Sequence, residues 1–258
     1  MTILFVVIFG LIIGSFLNVC IYRVPRKLSV VSPRRSFCPE CKHQLNWWEN
    51  IPVFSWLFLR AKCHHCSTPI SGQYPLVELL SAIAAAATFL KFQLTPTGLV
   101  IFLLVETLLV ITFIDFEFKI IPDRISFPGM TFGLCLGIIS QYTPWFTSPI
   151  TESAFDSLLG FIAGGGFFYA IGIVYYMISK RVGLGGGDIK LMAVTGSILG
   201  VDSIIPTIFA GSISGSVVGI LVMLLKRGGR HTEIPFGPWL SLGAIVYIFF
   251  DLPYFRVY

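Results

Sequence analysis

Eight stretches of this 258-residue chain are apolar over the roughly 20 residues needed to cross about 30 Å of hydrocarbon, and nothing else in the sequence restricts its fold as much. They lie near residues 1–22, 75–92, 97–115, 125–142, 156–178, 184–202, 203–225 and 236–252. The sixth is the weakest: it is rich in Gly, contains Asp188 and Lys190, and runs almost directly into the seventh. The expected fold is an all-α polytopic membrane protein of about eight transmembrane helices. Composition agrees, since 55% of residues are hydrophobic and only 12% are charged, against about 25% charged in ordinary globular chains. That balance excludes disorder and a soluble domain. Six Cys in such a length are too sparse for a secreted disulfide scaffold, and no Gly-X-Y period runs through the chain.

The cations set an orientation. With the amino terminus outside, all of the 18 Lys and Arg except Lys91 and Arg256 fall on the cytoplasmic side, as the positive-inside rule requires. Both termini are therefore expected outside. The first apolar run has no preceding cation and no small-residue cleavage motif after it, so it is expected to be an anchor and not a cleaved signal. The same rule accounts for nearly all of the net charge of +5, which leaves no case for nucleic acid as a partner; membrane lipids are the expected surroundings. No repeat stands out, and low complexity is confined to Ala84 to Ala87 and two glycine clusters.

The one sizeable hydrophilic stretch, 23–74, reads as a small cytoplasmic insert between a first anchor, 1–22, and a transmembrane bundle, 75–258. It holds Cys38-Pro-Glu-Cys41 and, 21 residues later, Cys63-His64-His65-Cys66. Two C-x-x-C knuckles at this separation point to tetrahedral Zn2+, because each short gap turns two thiolates toward one ion. Four thiolates close the shell, so the metal is expected to be structural. Two disulfides are the alternative, disfavoured in a reducing cytosol. His64 and His65 are expected to be bystanders, and Cys20 and Cys135 small core residues.

Two acids stand out at the expected cytoplasmic membrane edge. Asp115 closes the third run, ahead of Lys119, Pro122 and Asp123, and Asp188 follows Gly185 to Gly187 and precedes Lys190. An acid at the rim of hydrocarbon is costly and normally faces a bundle interior or a cavity. Two carboxylates within hydrogen-bond reach hold one proton between them, and can activate water while donating to a peptide carbonyl. Gly185 and Gly187 would let a substrate backbone approach. The plainer alternatives pair Asp115 with Lys119 and Asp188 with Lys190, and make the glycines packing surfaces. Glu106, in the middle of the third run, is either a tuning group for the site or a hydrogen-bonded core residue. Glu78, early in the second run, needs no more than helix-dipole stabilisation. His231, in a basic loop, is expected to be solvated. No nucleophile elbow, HExxH helix or Walker A loop is present.

Taken together, these residues resemble the type IV prepilin peptidases, a family of polytopic membrane aspartic peptidases. The resemblance is carried by Gly14-Ser-Phe-Leu-Asn-Val-Cys20 through Tyr22-Arg-Val-Pro25, the two cysteine knuckles, and Trp48-Glu-Asn-Ile-Pro-Val53. It continues through Pro69-Ile-Ser71, Tyr74-Pro-Leu-Val-Glu-Leu79, Ile114-Asp115 to Pro122-Asp123, Gly185 to Lys190, and Pro235-Phe-Gly-Pro238. It implies that Asp115 and Asp188 are the catalytic pair; Gly185, Gly187, Lys190, Asp123, Glu106 and Glu78 are the expected supporting residues. It also implies an enzyme of the bacterial cytoplasmic (inner) membrane that removes the basic leader from prepilin or pseudopilin precursors of type IV pilus or type II secretion systems. Many members also methylate the new amino terminus with S-adenosylmethionine. The chain departs from the family where Ala61-Lys62 replace the Gly-Lys often found before the third Cys, which leaves open a peptidase without methyl transfer. Rival readings are a zinc-stabilised channel or transporter using the intramembrane acids, and a noncatalytic membrane adaptor.

Overall fold

The computed structural model describes residues 1–180, 185–225 and 235–250. His231 and the cations Arg181, Lys226, Arg227, Arg230 and Arg256 lie outside the described residues. Among those described, the secondary structure is helical: α1 (Thr2–Arg23), α2 (Phe54–Phe58), α3 (Gln73–Phe92), α4 (Pro96–Phe118), α5 (Asp123–Tyr142), α6 (Ala154–Ser179), α7 (Gly186–Leu199), α8 (Ile204–Leu225) and α9 (Gly237–Phe249). Short 3-10 turns form at Trp47–Asn50 and Val201–Ser203.

Each of the eight apolar runs contains one long helix. Five of these helical stretches are long and apolar enough to cross a bilayer: α1, α3, α4, α6 and Val201–Leu225. The other three differ for physical reasons. Helix α5 has the length but opens on Asp123 and Arg124 and carries Ser126, Pro128, Thr131 and Ser140. Helix α9 is apolar but has 13 described residues, and α7 has 14, of which Leu191 to Leu199 are all buried.

The chain divides into two compact units, Met1–Leu94 with Gly98–Val110, and Thr95–Thr97 with Ile111–Tyr258. In the first, α1 lies along α3 with almost no side chain between them. A Cβ on Gly10 would stand 2.7 Å from the Ala82 Cα, and one on Gly14 2.6 Å from the Glu78 Cα. Small residues at such a contact let two membrane helices approach closely. The Ser81 hydroxyl in this contact lies 2.7 Å from the Gly10 carbonyl and 3.0 Å from Glu106 Oε1. Arg23, at the end of α1, is buried and organises the start of the insert. Its guanidinium donates to the carbonyls of Ser29, Val30, Pro33 and Arg35.

In the second unit α7 is the central helix, wrapped by α5, α6 and α9. Gly160 and Gly164 of α6 press on the backbone of Gly196 and Met192, and Gly133 of α5 presses on Ser197. The Ser157 hydroxyl binds this junction through the carbonyls of Gly133, at 3.1 Å, and Ser197, at 2.7 Å. Asp156, in the first turn of α6, accepts from the Thr151 hydroxyl and the Val201 N–H, and so ties α6 to the turn after α7.

Candidate active site and metal centre

Asp115 sits in the last turn of α4 and Asp188 in the first turn of α7, and both are buried, with 5% and 9% of their surface exposed. Asp115 Oδ2 accepts the backbone N–H of Gly237, the first residue of α9, at 3.2 Å. A helix N-terminus presents its unpaired N–H groups and positive dipole end to such an anion. A Cβ on residue 237 would stand 2.7 Å from the same carboxylate oxygen, so any other residue there must displace the Asp115 carboxylate. Ile121, between α4 and α5, is the common neighbour: a Cβ on Gly187 would meet its side chain at 3.0 Å, and one on Gly237 at 3.2 Å. Gly237, which is bonded to Asp115, and Gly187, the residue before Asp188, therefore pack on the same isoleucine, and the charge of Asp115 acts on Asp188.

The glycine run before Asp188 is mostly open. Nothing lies within 4 Å of where a Cβ on Gly186 would be, and on Gly185 only the Asp188 carboxylate comes that close, at 3.5 Å. Of the three, Gly187 alone packs tightly. Lys190 pairs with Asp123, at the start of α5, and not with Asp188; its ammonium also lies 5.7 Å from the centre of the Phe127 ring. This pair joins the first turns of α5 and α7, beside the acids. Gly237 and Ile121 received no role from sequence, although a Gly-Pro pair opening a helix is a recognisable start signal.

Glu106 and Glu78 belong to the first unit. Glu106 is buried with Oε1 on Ser81 and with Oε2 unpartnered. Glu78 is buried and accepts the Val53 N–H at 2.7 Å. Val53 itself is in a strained turn, with φ +64° and ψ −50° and a 2.6 Å bond from the Phe54 N–H to the Pro52 carbonyl. That is the rare γ-turn with positive φ, which a β-branched residue adopts only when its surroundings impose it.

The four knuckle cysteines converge so that all four sulfurs lie within 4.8 Å of one another, with Cys38 and Cys66 3.9 Å apart. Tetrahedral zinc with Zn–S bonds of about 2.3 Å requires S···S separations near 3.8 Å, whereas a disulfide needs about 2.05 Å. All are free thiols. The two knuckles share one fold. In each, the first Cys donates its N–H to the carbonyl five residues on (His43, Thr68) and accepts from the N–H four residues on (Lys42, Ser67). Lys42 and Ser67 both have φ near +59°, and the isolated bridges Phe37 to Gln44 and Lys62 to Pro69 fall at matching offsets. This structural repeat is invisible in the residue identities. Hydrogen bonding with the Thr68 hydroxyl and backbone lowers the Cys66 thiol to about 6. Cys41, despite a backbone hydrogen bond from His43, is pushed up to about 11 by desolvation and by sharing protons with the other three sulfurs. Such a cluster ionises fully only around a cation, so the donor set fits zinc. Cys20 lies in α1, half-buried, whereas Cys135 is exposed on α5 and is no core residue.

Helices long and apolar enough to cross a membrane, two buried acids at helix ends and a four-cysteine cluster that could hold a metal define the class: a helical membrane protein with neighbouring buried acids. Comparison with known proteins places it further. Residues 8–92 match the profile of the bacterial peptidase A24 N-terminal domain, and residues 102–220 that of the type IV leader peptidase family. A Burkholderia pseudomallei protein called prepilin leader peptidase/N-methyltransferase is 31% identical, over 99% of this chain and 87% of its own length. Proteins of the same name from Myxococcus xanthus and Xanthomonas campestris are 40% and 34% identical, over 89% and 93% of this chain and 66% and 88% of theirs. No solved structure matches. The chain belongs to the type IV leader peptidase family.

Proposed function

We propose that this chain is a membrane aspartic endopeptidase that cleaves the basic leader from type IV prepilin or pseudopilin precursors and methylates the amino terminus it exposes. The observation that carries the reading is the packing on Ile121 of both Gly237, which is bonded to Asp115, and Gly187, which precedes Asp188, with the charge of Asp115 acting on Asp188. In this mechanism one carboxylate takes a proton from a water as its oxygen attacks the scissile carbonyl carbon. The proton already shared by the pair passes to the carbonyl oxygen. Collapse of the resulting diol breaks the C–N bond: the departing nitrogen takes the proton that the pair holds, and a diol hydroxyl gives its own proton back to the pair, which restores the original protonation. Gly237 holds Asp115 in register, and the unobstructed side of Gly185 and Gly186 admits the extended substrate backbone. Asp123 and Lys190 position the first turn of α7.

All eight long helices are assigned to the membrane in this reading. The cation distribution puts both termini outside and the insert, 23–74, on the cytoplasmic side of the bacterial inner membrane. A basic leader stays on that side while the apolar pilin helix remains in lipid, which sets the cut at the interface. Zn2+ bound by Cys38, Cys41, Cys63 and Cys66 holds the insert folded, since a segment of about 50 residues buries little core of its own. S-adenosylmethionine supplies the methyl group when bound. Ala61, where the family often has glycine, takes φ +57°, a conformation glycine adopts without strain. The replacement thus keeps the glycine-type backbone, and methyl transfer is retained in this reading.

The test is incubation of purified protein with a panel of prepilins, reading leader loss and amino-terminal mass together. Asp115→Asn and Asp188→Asn should each lower cleavage by about a hundred- to ten-thousandfold while the proteins still insert and bind zinc. Cleavage retained by both would end the acid-pair assignment.

A further inference from the structure

We infer that α2 is an interfacial anchor, by which the hydrophilic insert lays the side chains of Phe54, Leu57 and Phe58 into the headgroup–acyl boundary of the bilayer. The inference goes beyond the peptidase reading and needs only that α1 and α3 cross the membrane.

Helix α2 has two unlike sides. Positions three and four apart share a helix face, so Phe54 lies with Leu57 and Phe58. These three are 55%, 58% and 84% exposed, although such side chains are the ones a fold normally encloses. Trp56 is turned inward, and its indole N–H donates to the Ile70 carbonyl at 3.1 Å. Trp47, in the 3-10 turn that packs on α2, is exposed like the three. Large apolar side chains gathered on the surface of a hydrophilic segment mark a contact face.

The attachment of α2 shows what covers that face. Helices α1 and α3 pack antiparallel, with Gly10 against Ala82 and Gly14 against Glu78, so the insert leaves and re-enters the membrane on one side. Val53, the residue before α2, donates its N–H to Glu78 Oε2 at 2.7 Å, and the Trp56 bond reaches Ile70, three residues before α3. Glu78 lies about 7.5 Å along α3 from Gln73 at about 1.5 Å per residue. A backbone group bonded to its carboxylate is therefore held at the first turns of a membrane helix, where Leu76 and Leu79 are also exposed, and not out in water.

Charge agrees with a lipid surface. The chain leaves α2 through Arg60 and Lys62, both exposed, and residues 51–62 contain no acid. Anionic headgroups attract such a basic segment. Aromatic side chains beside cations make up elements that lie in the plane of the interface, with the apolar side sunk about 5–10 Å. A second copy of the same face would bring Arg60 and Lys62 against their own counterparts, a like-charge contact that disfavours self-pairing.

The experiment is photolabelling of the zinc-loaded full chain in vesicles of phosphatidylethanolamine and phosphatidylglycerol. The vesicles carry a phospholipid with a carbene-generating group near the top of its acyl chain, and labelled peptides are mapped by mass. Label should appear on residues 51–60 as well as on the exposed side of α3. Label on α3 with none on 51–60 overturns the anchor alone. Label on neither removes α3 from the membrane and the anchor with it. Leu57→Asp combined with Phe58→Asp should lose the label on 51–60 while zinc content and the α3 label stay unchanged; label that persists reaches the segment by another route and overturns the assignment. Should that variant fail to fold, labelling of the unaltered protein decides. Cross-links between copies at 51–60, without lipid label there, would give the face to a second chain and would also overturn it. None of these outcomes depends on prepilin cleavage, so the peptidase reading stands or falls separately.

Discussion

Gly237 is where the acid pair has least tolerance. Gly237→Ala places a methyl carbon 2.7 Å from Asp115 Oδ2, so the carboxylate must move or the N–H bond at 3.2 Å must break. Misplacing a catalytic group by about 1 Å can cost on the order of a hundredfold in rate. Steady-state cleavage of a prepilin by this variant should show that loss in kcat with little change in KM, and an unaltered kcat would mean that the N–H does not hold the acid. The two aspartates are legible in the sequence because a charge at a membrane edge is conspicuous. Gly237 is not, because its contribution is a backbone N–H and the glycine records only that nothing larger fits. Nor is the Asp123–Lys190 pair: it joins residues 67 positions apart, whereas the nearer acid along the chain, Asp188, is the partner that spacing suggests.

At the scale of elements, hydrophobic run length locates every long helix but overstates α7, whose helical part is Gly186–Leu199 within an apolar stretch read as 184–202. Run length reports burial without saying whether lipid or protein does the burying. The short α2 and the 3-10 turn of the insert carry no such signal, because the cysteine cluster and the Arg23 hydrogen bonds organise that segment in place of an apolar run. The contact between α1 and α3 offers a direct test. Gly14→Leu forces a branched side chain against the Glu78 backbone, where a Cβ alone would stand 2.6 Å away. Overpacking of this kind costs about 1–3 kcal/mol. Thermal unfolding in detergent should show a lower Tm for this variant than for Gly72→Ala, at an exposed glycine with nothing within 4 Å.

For the whole molecule, the two units differ in what stabilises them. The insert within the first carries a cysteine cluster that could hold a metal, which we propose keeps it folded, whereas α7 and its neighbours in the second are held by close glycine contacts and by the Ser157 and Asp156 hydrogen bonds. Zinc removal should therefore expose 23–74 to protease and leave the described helices of 111–225 protected, a difference that limited proteolysis with mass mapping would reveal. Acid should act like chelation. The Cys66 thiolate is favoured above about pH 6 and is lost as pH falls through that value, so unligated thiols compete less well for metal below it. Retention of zinc should decline in that direction, and a flat profile from pH 7 to 5 would show that Thr68 does not set it.

The sheathing of α7 has a consequence for how the enzyme meets its surroundings. With Leu191 to Leu199 enclosed by neighbouring helices, most of the helix that carries Asp188 is screened from the surroundings of the bundle. Tilt and stretch imposed by bilayers of different thickness fall on outer helices, so reconstitution into short-chain and long-chain phospholipids should leave the geometry of hydrolysis largely indifferent to the host membrane.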